Sequence, residues 1–220
     1  MTTKSITANA VTKIVSFAVG AIVLCSFAFP TLANDKKFND LLDRHWQAQL
    51  AQSPTFATSL GVRDYDDQLD DQSLEAFDAA VANSARFLQE LQKIKRSSLN
   101  KQNQLNYDLL SLDLSNDIER ARHGGKYLIM NNRSGPHLDL TSMPNRLPFF
   151  TLADYQSYVT RLGKMADYMS QSTRRIRAGL EAGWVQPCAP MQGFETSIQT
   201  HIVEDINDST FLKPLRLSPM

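Results

Sequence analysis

Between Val62 and His123 the chain contains neither glycine nor proline. So long a run without the two residues that interrupt helices is strong permission for long α-helices. Apolar residues recur at helical spacing in and around it. Phe38, Leu41, Leu42, His45, Trp46 and Leu50 trace one stripe that stops at Ser53-Pro54, and a short helical turn follows through Phe56 and Leu60 to Gly61. A second long helix starts near Ser73 and carries Leu74, Phe77, Val81, Leu88 and Leu91. Phe87 and Ile94 lie off that stripe, which implies packing on more than one side. A third begins after Ser97-Ser98, presents Leu105, Leu109, Leu112 and Ile118, and ends at Gly124-Gly125, where glycine takes a left-handed cap conformation.

From Gly124 the chain changes character. Three glycines and three prolines fall between Gly124 and Pro148, and Tyr127 to Met130 reads as a short strand or an extended segment. A connection this long in a compact domain is functional or disordered as a rule. Its apolar residues, Leu138, Leu140, Met143, Leu147, Phe149 and Phe150, argue for an ordered Gly/Pro-rich insert of about 124–150 laid over the core. Thr151 then caps a helix with Asp154 in its first turn. Tyr155, Tyr158, Val159, Leu162, Met165, Met169, Ile176 and Leu180 continue the period to about Ala182, with Gly163 as a candidate break. After Gly183-Trp184-Val185-Gln186-Pro187 a last helix from about Pro190 carries Met191, Phe194, Ile198, Ile202 and Ile206. The fold class is all-α, long helices packed as an irregular bundle around the one insert. Trp46, Phe77, Leu109 and Ile176 are expected to be mostly buried.

The first 33 residues are a targeting segment. Lys4 and Lys13 precede an apolar run from Ile14 to Phe29, Pro30 breaks it, and Thr31-Leu32-Ala33 offers a cleavage site. The run falls short of the roughly 20 residues that span a bilayer, so the chain has no membrane anchor once the signal is cleaved. Lipid attachment at Cys25 is disfavoured by Leu24, which stands where a small residue is wanted. Without residues 1–33 the chain carries 21 basic and 23 acidic side chains. That balance excludes the basic excess of a nucleic-acid binder. Export places residues 34–220 in the periplasm or outside the cell, with Cys188 as the one remaining thiol, expected to be packed and inert.

Few residues carry the pattern of a site. His201, Glu204 and Asp205, at i, i+3 and i+4, share a face of the last helix and are weak candidates for holding a divalent cation; the competing reading is an ordinary polar face opposite Ile198 and Ile202. The acidic run Asp64, Asp66, Asp67, Asp70, Asp71 lacks the glycine and glutamate of a calcium loop and reads as a solvated turn. In the insert, Asn131, Asn132, Arg133 and His137 group donors with one titratable ring beside Gly135-Pro136. They either line a cleft that holds a carboxylate or peptide end, or satisfy backbone groups of a buried loop. Arg174, Arg175 and Arg177 read as a solvated or ion-paired face. No His-Glu-x-x-His, Gly-x-Ser-x-Gly, phosphate-loop or dinucleotide motif occurs.

Several segments together resemble the bacterial domain-of-unknown-function family 885. They are Asp43-Arg44-His45-Trp46, Ser53 to Gly61, the Asp66 to Ser73 turn, Leu105 to Leu110, Met143-Pro144, Pro148-Phe149, Tyr155 through Leu162, Arg175 to Leu180 and Gly183 to Pro187. The resemblance covers nearly all of residues 34–220. It implies an exported hydrolase distantly similar to helical zinc metallocarboxypeptidases, whose His-Glu-x-x-His lies in a later part of the chain and acts on a peptide substrate. No residue here matches that motif, so no catalytic residue is assigned, and zinc is expected only for a full-length member. The chain then reads as the N-terminal helical part of such a protein, a scaffold fragment without its own metal motif. The alternative is a stand-alone periplasmic helical binding module. Export predicts that protein recovered from the periplasm begins at Asn34; N-terminal sequencing that returns Met1 overturns it.

Overall fold

A computed structural model of the chain describes residues 29–216. The signal segment therefore lies outside the described residues except for its last five, which form the start of α1 (Phe29–Gln52). Described residues that regularly fold are helical, and no strand occurs among them; Tyr127 to Met130 runs as a turn and then irregular backbone. After α1 come α2 (Pro54–Ser59), α3 (Leu74–Gln92), α4 (Lys101–Arg122), α5 (Pro136–Ser142), α6 (Leu152–Glu181), α7 (Cys188–Met191), α8 (Phe194–Gln199) and α9 (Lys213–Arg216). None of these described helices is long and apolar enough to cross a membrane.

Local chemistry sets most of the boundaries. The Ser73 and Asn100 side chains accept the backbone N–H of Ala76 and Asn103, which caps α3 and α4. Thr151 and Asp154 form a reciprocal capping box at the start of α6. Gly124, at φ 76°, ends the α4 turn in the left-handed region, and the ring of Trp184 lies where a Cβ would project. Gly163 does not divide α6, which is continuous for 30 residues.

The apolar core belongs to α1, α3 and α4. Phe38 and Leu41, Phe87 and Leu91, then Leu99, Leu110 and Leu114 form one buried cluster. Phe87, off the main stripe by spacing, is thus a central core residue; burying a side chain of this size contributes about 2–3 kcal/mol. On α4 the sequence stripe faces the wrong way. Leu110 and Leu114 are inside, while Leu105, Leu109 and Leu112 are more than half exposed. Trp46 is also 44% exposed, held edge-on against Phe56. Phe77 and Ile176 are half-buried rather than buried.

A second, polar interior forms where α6 meets α2, the 63–72 segment and the insert. The buried residues of α6 are Asp154, Tyr158, Arg161, Tyr168, Ser172, Arg175 and Gly179, while Val159 and Leu180 of the apolar stripe are exposed. Arg161 is wholly buried. Its Nε donates to the carbonyl of Gln68 (2.7 Å), and its Nη2 donates to Thr58 Oγ1 (2.6 Å) and to the carbonyls of Tyr65 (3.0 Å) and Pro54 (3.4 Å). The acidic run is therefore not a plain solvated turn. Asp66 accepts from Thr58 Oγ1 and pairs with Arg63, Asp70 accepts from the Thr55 N–H and hydroxyl, and Asp66, Asp67 and Asp70 all favour the charged form of Arg161.

Arg161→Met is expected to take one donor from each of the Pro54, Tyr65 and Gln68 carbonyls and from the Thr58 hydroxyl. Removing a buried charge from such a network costs about 3–5 kcal/mol. A urea titration reads this as a lower midpoint at unchanged slope; a midpoint equal to that of the parent protein refutes the role given to Arg161.

Candidate functional site

The insert residues divide between two tasks. Asn131 Oδ1 accepts the N–H groups of Arg133 and Ser134, closing a local turn. Asn132 donates its N–H to the carbonyl of Pro190 and its Nδ2 to that of Gln192, stitching the insert to the segment around α7. These two asparagines thus satisfy backbone groups. Arg133 is exposed and makes no side-chain hydrogen bond among the described residues. His137, in the first turn of α5, is buried, and neither ring nitrogen has a hydrogen-bond partner.

The insert is more regular than its composition suggests, because α5 and a following 3-10 turn (Met143–Asn145) occupy its middle. α5 packs against α6 and against α8. That second contact brings His137 near His201, whose Nδ1 is also buried and unpartnered. The sequence had placed His201 with Glu204 and Asp205 on one helix face; the structure separates them. Gly193, at φ 80°, breaks the last helix ahead of α8, which ends at Gln199, and His201 stands in the turn beyond it. Asp205 instead caps a 3-10 turn (Ile206–Asp208) through the N–H of Asn207, and Ile202 and Ile206 are exposed. Among the described residues no three His, Cys, Asp or Glu side chains gather closely enough to hold a metal ion. The donor set therefore does not fit a zinc centre, which takes at least three protein ligands. Cys188 is exposed rather than packed.

A larger hollow lies elsewhere, between the end of α1, the first half of α3 and residues 68–72. It is a cleft of about 550 Å³ walled by Ala48, Ala51, Ala76, Phe77 and Ala80, with Asp70, Asp71 and Arg175 also lining it. A smaller pocket of about 180 Å³ shares Leu69, Asp70 and Gln72 with the cleft and is closed by Asp139, Arg146 and Tyr168. Segment 69–72 is the wall between the two, and Arg161 holds it through the Gln68 carbonyl. Of these lining residues, spacing brings up only Asp70 and Asp71, as part of an acidic run that lacks the features of a calcium loop. Arg175 was read with Arg174 and Arg177 as a solvated face, yet it is buried, with Nε donating to the carbonyl of Lys126 and Nη1 to Gln72 Oε1. Arg174 and Arg177 do remain exposed.

A family model described as "Bacterial protein of unknown function (DUF885)" matches residues 54–219, which include the smaller pocket, most of the lining of the cleft, the insert and the whole of α6. No curated protein matches the chain.

The buried, partnerless imidazole of His137 has a consequence for stability. Burial pushes its pKa down, Asp139 opposes the shift, and the neighbouring His201 adds to it. The unfolded chain therefore takes up this proton first as pH falls. Stability is full above about pH 6.5 and declines below it as the ring is forced to charge. His45, also lowered by burial, acts in the same direction. Replacing His137 by Phe is expected to shrink the loss of denaturation midpoint between pH 8 and pH 5.5; an undiminished loss refutes the assignment.

Proposed function

This chain belongs to the bacterial DUF885 family, and on that premise we propose that it is the N-terminal scaffold of an exported hydrolase resembling zinc metallocarboxypeptidases. In this reading it walls one side of a peptide cleft, and a later part of the protein supplies zinc, its ligands and the catalytic groups. The signal-like N-terminus directs the protein to the periplasm or beyond. Its substrate is a peptide, and the near balance of charges speaks against nucleic acid.

The observation that carries the reading is an uncovered apolar face. Leu105, Leu109 and Leu112 stand on one side of α4, exposed by 53%, 56% and 59%. Leu109 and Leu112 line a shallow depression with Leu42 and the buried Leu110. Contiguous apolar surface of this kind marks contact with more polypeptide. On the scaffold reading, that polypeptide is the catalytic part of the same hydrolase. The rival reading, a stand-alone periplasmic helical binding module, is favoured by a different feature, the charged cleft around Arg175.

Zinc titration by calorimetry on the mature protein, with hydrolysis of a small peptide panel, tests the scaffold reading. The expected outcome is no stoichiometric submicromolar zinc binding and no turnover. Turnover lost on His201→Ala would make the chain a complete enzyme and overturn the proposal. The DNA beyond codon 220 separates the two readings: a His-Glu-x-x-His reading frame there supports the scaffold, and unrelated sequence favours the module.

A further inference from the structure

A buried arginine needs counter-charge or a full set of acceptors. Arg161 has both. Arg175, on the same buried stripe of α6, has neither, although it is only 7% exposed. Its Nε donates to the Lys126 carbonyl (2.8 Å) and its Nη1 to Gln72 Oε1 (3.2 Å), while the guanidinium lies 5.2 Å from the centre of the Phe77 ring. Among the described residues, Nη2 donates to no acceptor and no carboxylate pairs with this cation. Tyr168 is the one ionisable group that favours its charge, and burial holds that phenol protonated well above its ordinary range. A guanidinium in this state, lining a cleft, presents an open position for an anion.

The cleft constrains what that anion is part of. Its volume of about 550 Å³ is that of a small-molecule site. Ala48, Ala51, Ala76, Ala80 and Phe77 give it small, apolar walls. Asp70 and Asp71 line it as well, each with Oδ1 engaged locally, by Thr55 and by the N–H of Ser73. Neither carboxylate hydrogen-bonds to Arg175, whose donors go to Lys126 and Gln72. We propose that this cleft binds a small zwitterion, a free α-amino acid or a short peptide, with its carboxylate on Arg175 and its ammonium group toward Asp70 and Asp71. Arginine supplies the paired N–H geometry that a carboxylate accepts, and the alanine walls take a modest apolar side chain. The inference concerns residues of this chain alone, so it stands or falls independently of the scaffold reading.

Calorimetry on the mature protein tests it, with L-leucine and glycyl-leucine as probes. Leucinamide, which lacks the carboxylate, and 4-methylpentanoate, which lacks the ammonium group, are each expected to bind at least about tenfold more weakly than leucine. Tighter binding of glycyl-leucine identifies a peptide as the ligand, and tighter binding of leucine a free amino acid; either supports the proposal. Arg175→Gln is expected to abolish binding. Because Arg175 also holds the Lys126 carbonyl, a second variant leaves it in place: Ala80→Glu puts a carboxylate into the cleft and is expected to weaken binding by about tenfold or more while the helical circular dichroism is unchanged. Leucinamide binding as well as leucine, no binding of either probe at about 10 mM, or full affinity in a folded Ala80→Glu variant overturns the proposal.

Discussion

Arg161 fixes the geometry on which the polar half of the molecule depends. The chain from Pro54 to Gln68 contains a two-turn helix, a 3-10 turn and several aspartates, and it has little apolar surface of its own to bury. What pins it is one guanidinium reaching from α6 to the carbonyls of Pro54, Tyr65 and Gln68 and to the Thr58 hydroxyl. Burying that charge is costly, and the surrounding Asp66, Asp67 and Asp70 offset the cost without forming a direct pair with it. Asp154 makes a parallel connection at the start of α6. It accepts the N–H groups of Phe150 and Thr151 and pairs with Arg63, tying the helix cap to the same segment. The position of residues 69–72, which divide the cleft from the smaller pocket, follows from these bonds.

Helix existence and helix ends were legible because they depend on local chemistry. Pro54, the Ser73 and Thr151 caps and Gly124 act within a few residues of where they sit, and each boundary lies where those residues put it. Which face of a helix is buried was less legible. Periodicity finds the apolar face, and it predicts burial only where the interior is apolar. That holds for Phe38 and Leu41 in α1 and for Leu91 in α3. It holds only in part on α6, where Tyr158 of the stripe is buried but Val159 and Leu180 are exposed and the interior also takes Arg161, Tyr168 and Arg175. On α4 it fails for another reason. The helix carries leucines all round, and only the contact with α3 decides that Leu110 and Leu114 go inside.

The same distinction governs the candidate sites. Spacing along an assumed helix groups His201, Glu204 and Asp205, but α8 ends at Gln199, ahead of all three, and residues 201–205 are not helical. Conversely, His137 and His201 are brought together only by the docking of α8 on α5. Asp70, Gln72 and Arg175 come together by the same kind of long-range packing, from an acidic turn and from a cluster that looked like surface. For Asn131 and Asn132 the blander reading, backbone satisfaction in a long connection, is the one the hydrogen bonds support.

Arg161 and Arg175 together show why a ligand site belongs on this side of the molecule. An apolar core such as that of α1, α3 and α4 is held by non-directional burial, and it tolerates shifts that keep its volume. A polar interior is held by bonds with fixed partners, so it positions its groups narrowly, and any group left without a partner is costly. Arg161 spends Nε and Nη2 on four acceptors of the 54–68 segment, among the charges of three aspartates, and becomes part of the frame. Arg175 spends only Nε and Nη1, which orients the guanidinium from behind through Lys126 and Gln72 while Phe77 lies beside it. Oriented in this way and lacking a carboxylate of its own, it is already arranged for an incoming one, so an anion binding there loses little freedom in the protein. Supplying that missing carboxylate from within the chain, as an acid at position 80 would, occupies the open donor and removes the reason for the cleft to hold a ligand.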